Sequence, residues 1–326
     1  MKAAVRDRYG PPDVVSVRDV QRPIPAGDQV LVRMQAASVN RADLDGLYPR
    51  PSFSRLFLGV RGPRVRRVGC DVAGAVEAIG ARVTRFRPGD RVFADLYNHG
   101  QGAFADYVCA HESAFASIPA DMTFEHAATL PHSAILAIQG LRLRGGRSPG
   151  PGDRVLIDGA SGNVGPFALQ IAKSLGAEVT GVCSTEKIDF VRSLGADHVI
   201  DYTTVDYTAT GERYDWIVDT DAHHPILRIR HALRPKGVYI TLGGGGWRIV
   251  QAMLGGPVIS RATGTWMGLM LWWKPFKAED VATLTSLIAG GKVRPIIDRR
   301  YPLAQAVDAL RYVDDGHARG KVIVAN

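Results

Sequence analysis

Residues 158 to 172, "DGASGNVGPFALQIA", place a glycine-bearing turn directly after the apolar run "RVLI". The turn ending at Gly165 has the form AxGxxG, with Ala160 in the first glycine position. Glycines at this spacing allow a tight turn and close backbone approach, and the helix that follows offers unpaired N–H groups to a pyrophosphate. Ser161, Gly162, Asn163, Val164 and Gly165 are therefore the expected phosphate-binding residues. The alternative is a glycine turn that serves only helix and sheet packing.

The choice of dinucleotide depends on the next strand end. An NAD site generally carries Asp or Glu about 20 residues after the glycines, accepting from the ribose hydroxyls. Here the position reads "VCSTEK". Ser184 and Thr185 can donate to a phosphate and Lys187 can neutralise it, while Glu186 sits where it serves a helix N-terminus. This set favours the 2′-phosphate of NADPH; Lys187 as a solvated helix residue is the bland alternative.

The elements that must position these residues follow from periodicity. After the strand "RVLIDGA", the residues Val164, Phe167, Ala168, Ile171, Ala172 and Leu175 form one apolar helix face, and Gly176 is placed to end it. "AEVTGVC" (177 to 183) is a second strand, a helix runs from Thr185 through Leu194, and "DHVI" (197 to 200) is a third strand. This βαβαβ order predicts a parallel, doubly wound α/β sheet. "YDWIVD" (214 to 219) and "GVYITLGG" (237 to 244) read as further buried strands, and Gly243 joins the cofactor-binding set.

The first 120 residues read differently, with short Val- and Gly-rich stretches such as "QVLVRMQAASV" (29 to 39), "DVAGAVEAIG" (71 to 80), "DRVFADL" (90 to 96) and "AFADYVCA" (103 to 110). They predict a mainly β, barrel-like unit. A helix at 278 to 289, "RPIIDRRY" (294 to 301), a helix near 303 to 315 and "GKVIVAN" (320 to 326) close the chain, and periodicity does not decide which unit they join.

Composition bounds the function classes. With 326 residues, 46% hydrophobic and 22% charged, the chain is an ordinary globular protein large enough for two cores. Cys70, Cys109 and Cys183 show no CxxC spacing, so neither a disulfide framework nor a structural zinc lobe is indicated, and a reducing cytoplasmic setting is expected. The N-terminus lacks the apolar core of a secretory signal, and no window is apolar enough to span a membrane. The net charge of +8 admits an anionic partner, but the arginines are scattered, and the one knot, "RGPRVRR" (61 to 67), reads as a solvated loop; nucleic acid is not the expected partner. "WMGLMLWWKPF" (266 to 276) is a pocket wall, a subunit contact or a buried helix, and Arg261 and Lys274 beside it permit at most peripheral membrane contact. His223 and His224 are adjacent and read as loop or helix-start residues.

"AASVNRAD" (36 to 43), "GCDVAGAVEAIGARVTRFRPGDRVF" (69 to 93), "GAFADYV" (102 to 108), "AATLPHSAILAIQGL" (127 to 141), "VLIDGASGNVG" (155 to 165), "SLGADHVIDY" (193 to 202) and "GHARGKVIV" (316 to 324) cover nearly the whole chain. In these motifs the chain resembles the medium-chain dehydrogenase/reductase superfamily, in its zinc-independent quinone oxidoreductase (zeta-crystallin-like) branch. The resemblance implies a GroES-like catalytic domain at 1–121, a Rossmann NADP-binding domain at 122–265 and a segment at 266–326 that returns to the catalytic domain. It implies NADPH, with Ser184, Lys187 and Tyr202 at the 2′-phosphate, and a homodimer. It also implies a catalytic role for Asn40, whose NH₂ can donate to a developing oxyanion; Tyr48, shortly after it, can donate a hydrogen bond or a proton, and for both the alternative is a structural role in orienting the loop.

Two departures stand out. Asn163 replaces the second glycine of the usual "GGVG", and "DTDAHH" (219 to 224) replaces a glycine-containing loop. The positions that hold catalytic zinc in metal-dependent relatives correspond here to Asn40, Cys70 and His132, and Asp71 replaces a glutamate. A neutral amide is a poor substitute for thiolate, so no metal is expected. Hydride transfer without a Lewis acid suits a quinone or an α,β-unsaturated carbonyl, whose developing charge hydrogen-bond donors can stabilise. The rivals are an NADPH-binding protein with an interaction role, for instance with nucleic acid, and a zinc alcohol dehydrogenase.

Overall fold

A computed structural model describes residues 1–49, 59–143, 146–244, 246–270 and 277–326. The chain divides into two units, Met1–Ile135 with Pro275–Val281 and Pro295–Asn326, and Leu136–Lys274 with Ala282–Arg294.

The first unit is antiparallel for the most part. β1 (Lys2–Arg6) and β2 (Val15–Asp19) pair with each other. The larger sheet is organised by β3 (Gln29–Val39), which is long enough to hold three partners. Its first half pairs with β6 (Tyr107–His111), its last residues pair with β15 (Lys321–Ala325), and β4 (Asp71–Ile79) runs along its other edge. β5 (Arg91–Asp95) and β7 (Phe115–Ser117) continue beyond β4, and β14 (Ile297–Pro302) flanks β15. Val30, Val32, Met34, Val72, Val92, Phe104 and Val322 are among the residues that close the core.

Register does the positioning. Val322 opposes Val39, so Lys321 comes level with Asn40. Ser38 opposes Asp71, and Asp71 opposes Asp95. The pairing that buries the valines therefore also gathers Asn40, Ser38, Asp71, Asp95 and Lys321.

The second unit is a six-stranded sheet in the order β10-β9-β8-β11-β12-β13. These strands are β8 (Arg154–Asp158), β9 (Glu178–Cys183), β10 (His198–Asp201), β11 (Tyr214–Asp219), β12 (Leu233–Thr241) and β13 (Trp266–Leu269), and every neighbouring pair is parallel. This is the doubly wound order, with its direction of progression reversing between β8 and β11. Leu156, Trp216, Ile217 and Tyr239 are buried in it.

The boundaries at 121 and 265 are corrected. The helix Phe124–Ala128 packs on β3 and β4 and buries Ala127 and Ala128, which keeps it in the first unit. β13 pairs with β12 and so belongs to the nucleotide sheet, whereas β14 and β15 lie in the first unit's sheet. An 18-residue helix, Gly246–Thr263, occupies a stretch in which periodicity predicted none. Gly255, Gly256 and Pro257 mask its pattern, and Gly256 is needed because a Cβ there would lie 2.3 Å from the Met267 carbonyl oxygen. Among the described residues no helix is long and apolar enough to cross a membrane. The arginines of 61 to 67 lie exposed in a loop, as expected.

Candidate functional site

The dinucleotide turn is built from backbone proximity. β8 ends at Asp158, and Gly159 then takes φ +80°, where a Cβ would meet Thr220 Oγ1 at 2.2 Å. At Gly165 a Cβ would lie 2.1 Å from the Gly159 carbonyl oxygen, so the helix Gly165–Ser174 starts hard against the strand end. Val164 occupies the N-cap and supplies no side-chain cap. Ser161 is buried, while Gly162, Asn163 and Val164 are half-buried. Among the described non-glycine residues only Gln101 and Lys236 have positive φ, so Asn163 replaces a glycine without backbone strain. A turn closed to a Cβ at Gly159 and Gly165, beside a helix start without a side-chain cap, has a shape that can accept a pyrophosphate.

The next strand end holds Ser184, which precedes the short 3₁₀ turn Thr185–Lys187. Burial pushes the Cys183 thiol up to about 11, with Asp201 adding to this and Lys187 and Arg192 opposing it. Sequence reasoning found no acid competing with phosphate here, but Asp201 stands one strand over, opposite Cys183 in register. Its carboxylate accepts from Thr185 Oγ1 at 2.5 Å, Thr203 Oγ1 at 2.7 Å and the Thr203 N–H at 2.9 Å. The Thr185 and Thr203 hydroxyls hold it below the usual carboxylate range. Tyr202, adjacent, is 56% exposed.

At the far side of the switch point, Gly243 is tied by its carbonyl, which accepts from Thr241 Oγ1 at 2.8 Å and from the Ala222 N–H at 3.1 Å. Gly244 is the residue that must be glycine: its φ is +127° and a Cβ would lie 2.2 Å from Ala222 N. Asp158 and Asp219 end adjacent strands in register and both are buried. Burial lifts Asp158 to about 7 and Asp219 well above the carboxylate range, even though Tyr239 Oη donates to Asp219 at 2.9 Å. His223 and His224 lie in the loop before the helix Ile226–His231, with ring centroids 4.3 Å apart.

In the first unit Asn40 caps the helix Arg41–Leu47, its N–H donating to Asp43 Oδ2 at 2.8 Å. Its Oδ1 accepts from Lys321 Nζ at 2.6 Å and from Ser133 Oγ at 3.1 Å, and Nδ2 donates to the Ser38 carbonyl at 3.4 Å. Lys321 Nζ also lies 3.0 Å from Ser133 Oγ and 3.5 Å from Asp71 Oδ2. Asp71 accepts from Ser38 Oγ and from the His132 N–H, and His132 Nδ1 is 2.8 Å from Asp95. Burial works to lower the His132 imidazole, but Asp95 and Asp71 lift it above its ordinary value. Burial raises the Asp43 carboxyl and lowers the Lys321 ammonium, and pushes the Cys70 thiol well up with help from Asp43 and Asp95. Of the expected catalytic pair, Asn40 belongs to this network, whereas the Tyr48 hydroxyl donates to Asp314 at 2.8 Å. Sequence reasoning missed Lys321, Ser133 and Asp95; "GKVIV" and "LPHS" carry two of them without any sign of where they meet.

The tryptophan-rich stretch is described only to residue 270. Trp266, Met267, Gly268 and Leu269 line a groove of ≈ 510 Å³ with Met253 and Pro257. Residues 271–276, including Trp272 and Trp273, lie outside the described residues.

A doubly wound sheet with a glycine turn at its switch point, joined in one chain to an antiparallel sheet with a buried polar cluster, defines a nucleotide-dependent dehydrogenase or reductase class. Residues 26–120 match the alcohol dehydrogenase GroES-like domain family, and residues 194–324 match a family described as zinc-binding dehydrogenase. A chloroplast envelope quinone oxidoreductase homolog of Arabidopsis thaliana is 32% identical over 93% of this chain and 91% of its own length. The solved quinone oxidoreductase of Coxiella burnetii is 26% identical with a TM-score of 0.84, covering 100% of this chain and 99% of its own. A mycobacterial protein solved in complex with NADPH is 25% identical with a TM-score of 0.82, covering 100% of both chains. The chain belongs to the medium-chain dehydrogenase/reductase superfamily, in its quinone oxidoreductase branch.

Proposed function

We propose that this chain is an NADPH-dependent reductase of quinones or α,β-unsaturated carbonyl compounds that works without catalytic zinc. The observation that carries the reading is the closed turn at the switch point, where Gly165 leaves no space for a Cβ against the Gly159 carbonyl. Ser161, Gly162, Asn163, Val164 and Gly165 would hold the pyrophosphate, and Ser184, Lys187 and Tyr202 the 2′-phosphate, with Gly243 at the end of β12. The relative named quinone oxidoreductase homolog and the neighbour solved with NADPH support this choice. NADPH bound there supplies a hydride.

The chain's own residues orient and stabilise. Lys321 and Ser133 occupy Asn40 Oδ1 and so orient Nδ2, whose N–H groups face the Ser38 carbonyl and Asp71 and would turn to an acceptor oxygen as charge develops on it. The same contacts support chemistry without zinc, because the amide oxygen is taken and a buried ammonium stands where a dication would be repelled. Tyr48, whose hydroxyl donates to Asp314, ties down the C-terminal end of the helix Arg41–Leu47. A homodimer is supported by the terminal place of β13 in its sheet and by the exposed Met253, Leu254 and Val258 on the helix Gly246–Thr263. Three free cysteines fit a reducing compartment such as the cytoplasm.

Titration of the purified chain with NADPH and NADH, followed by a panel of quinones and enones with a chelator present, tests the proposal. Failure of every acceptor to oxidise NADPH removes it.

A further inference from the structure

The loop "DTDAHH" carries two histidines that the reductase reading does not use. One ligand atom from each of Asp158, His223 and His224 lies within 4.8 Å of the other two. Asp158 ends β8, and the histidines follow β11 and precede the helix Ile226–His231, so the switch point of the sheet brings the three together. Asp158 is buried, His224 half-buried and His223 exposed, so the cluster opens to solvent on one side.

Each member is poised for a cation. Asp158 Oδ2 is buried with no well-formed hydrogen bond, the Tyr207 hydroxyl being the side-chain donor beside it, and the buried carboxylate of Asp219 ends the adjacent strand in register with it. An unpaired buried carboxylate oxygen is costly unless a positive group faces it. His223 Nδ1 lies 2.8 Å from the Asp221 carbonyl oxygen, which can only accept, so Nδ1 carries the proton and Nε2 the lone pair. His224 Nδ1 lies 3.8 Å from Asp206 Oδ1, an ion-pair distance without a hydrogen bond. Imidazoles backed at one nitrogen by a carbonyl or carboxylate are the usual form of metal-bound histidine.

We propose that Asp158, His223 and His224 form a binding site for a divalent transition-metal ion of the zinc type. Two imidazoles and one carboxylate select such an ion over magnesium or calcium, which prefer all-oxygen sites. Bonds of about 2.0–2.2 Å require the three ligand atoms to draw together by roughly an ångström, a movement open to the solvent-facing His223. Three protein ligands leave a further position for water. The site shares no residue with the Asn40 cluster and does not rest on the reductase reading.

The test uses the full chain, stripped with a chelator and without NADPH, titrated with Zn²⁺ by calorimetry and with Co²⁺ by visible absorption. The expected result is one ion per chain with the spectrum of a nitrogen and oxygen site. His223→Ala and His224→Ala should each weaken Zn²⁺ at least tenfold, and the double substitution should abolish binding. Protection of the two histidines from diethylpyrocarbonate by Zn²⁺ in the unsubstituted protein gives the same answer without any variant. The proposal is overturned by absence of stoichiometric binding, by binding that survives the double substitution, or by a thiolate charge-transfer band that disappears in Cys70→Ser.

Discussion

Lys321 Nζ lies 2.6 Å from Asn40 Oδ1, in a setting where both residues are almost wholly buried. An ammonium can only donate, so it fixes which end of the amide faces it and turns Nδ2 the other way. It is also the cation beside Asp71, at 3.5 Å. Lys321→Met keeps the volume and removes the charge, which leaves the buried Asp71 with its hydrogen bonds from Ser38 and His132 but without the ammonium beside it. Urea unfolding should show a loss of about 3–5 kcal/mol. The double variant Lys321→Met/Asp71→Asn should be more stable than Lys321→Met alone; additive losses would mean that the pair is not coupled.

Asp71 has its own pH signature. Burial pushes its carboxyl up to about 6, with Lys321 opposing and Asp95 adding, while His132 and a hydrogen bond from Asn40 also oppose the rise, and Ser38 Oγ completes its surroundings. An unfolded aspartate titrates at about 3.9, so between these values the folded state holds more protons than the unfolded state. The contribution of this group to stability therefore falls as pH rises through that window and is flat above it. Asp71→Asn should gain stability relative to the unsubstituted protein by about 2–3 kcal/mol between about pH 4 and about pH 6.5. A difference that does not change with pH would assign the raised carboxyl elsewhere.

For Asn40→Ala the expected effect is on turnover. Loss of a donor to a developing oxyanion costs about a hundredfold or more in kcat. NADPH affinity, read by fluorescence quenching, should not change, because no dinucleotide contact is assigned to Asn40. Equal losses in both would instead indicate a structural role through Lys321 and Ser133.

Much of the strand plan was legible because period-two alternation and glycine punctuation coincide with burial. The stretch 29 to 39 is β3 to the residue, and 214 to 219 is β11. The helix Gly246–Thr263 was not, since it buries only Ala252 and Gly256 and so has no apolar stripe to detect. Asn163 stands in a glycine position of the turn without positive φ, so the replacement carries no backbone strain. The polar cluster was half visible: Asn40, Cys70 and His132 stood out through their neighbours, but Lys321 joins them only through the pairing of β15 with β3, 281 residues away from Asn40. Asp201 was overlooked for the same reason, because parallel register, not sequence distance, puts it beside Cys183.

The two charges at that strand end predict opposite effects on cofactor choice. Lys187→Ala should weaken NADPH by about ten- to a hundredfold, the range of one lost hydrogen bond to a charged group, and leave NADH nearly unchanged. Asp201→Asn removes a carboxylate that repels the 2′-phosphate, so its ratio of NADPH to NADH affinity should rise. If Lys187→Ala leaves the preference intact, the phosphate is not held there.

Gly162 and Gly165 share one turn and one motif but should respond differently to the same methyl group. At Gly165 an added Cβ would lie 2.1 Å from the Gly159 carbonyl oxygen and 2.6 Å from Ala160 Cα, both backbone atoms that cannot swing aside. Gly165→Ala must therefore push the helix Gly165–Ser174 off the end of β8, and should cost about 1–3 kcal/mol in urea unfolding. At Gly162 the nearest atom is the same carbonyl oxygen at 3.6 Å, an ordinary contact, so Gly162→Ala should leave stability close to unchanged. The methyl group then adds bulk to the half-buried stretch Gly162–Val164 assigned to the pyrophosphate, and NADPH binding should weaken while the melting temperature holds. Gly162→Ala with undiminished NADPH affinity would mean that the dinucleotide does not lie over this turn, whatever Gly165→Ala does to the fold.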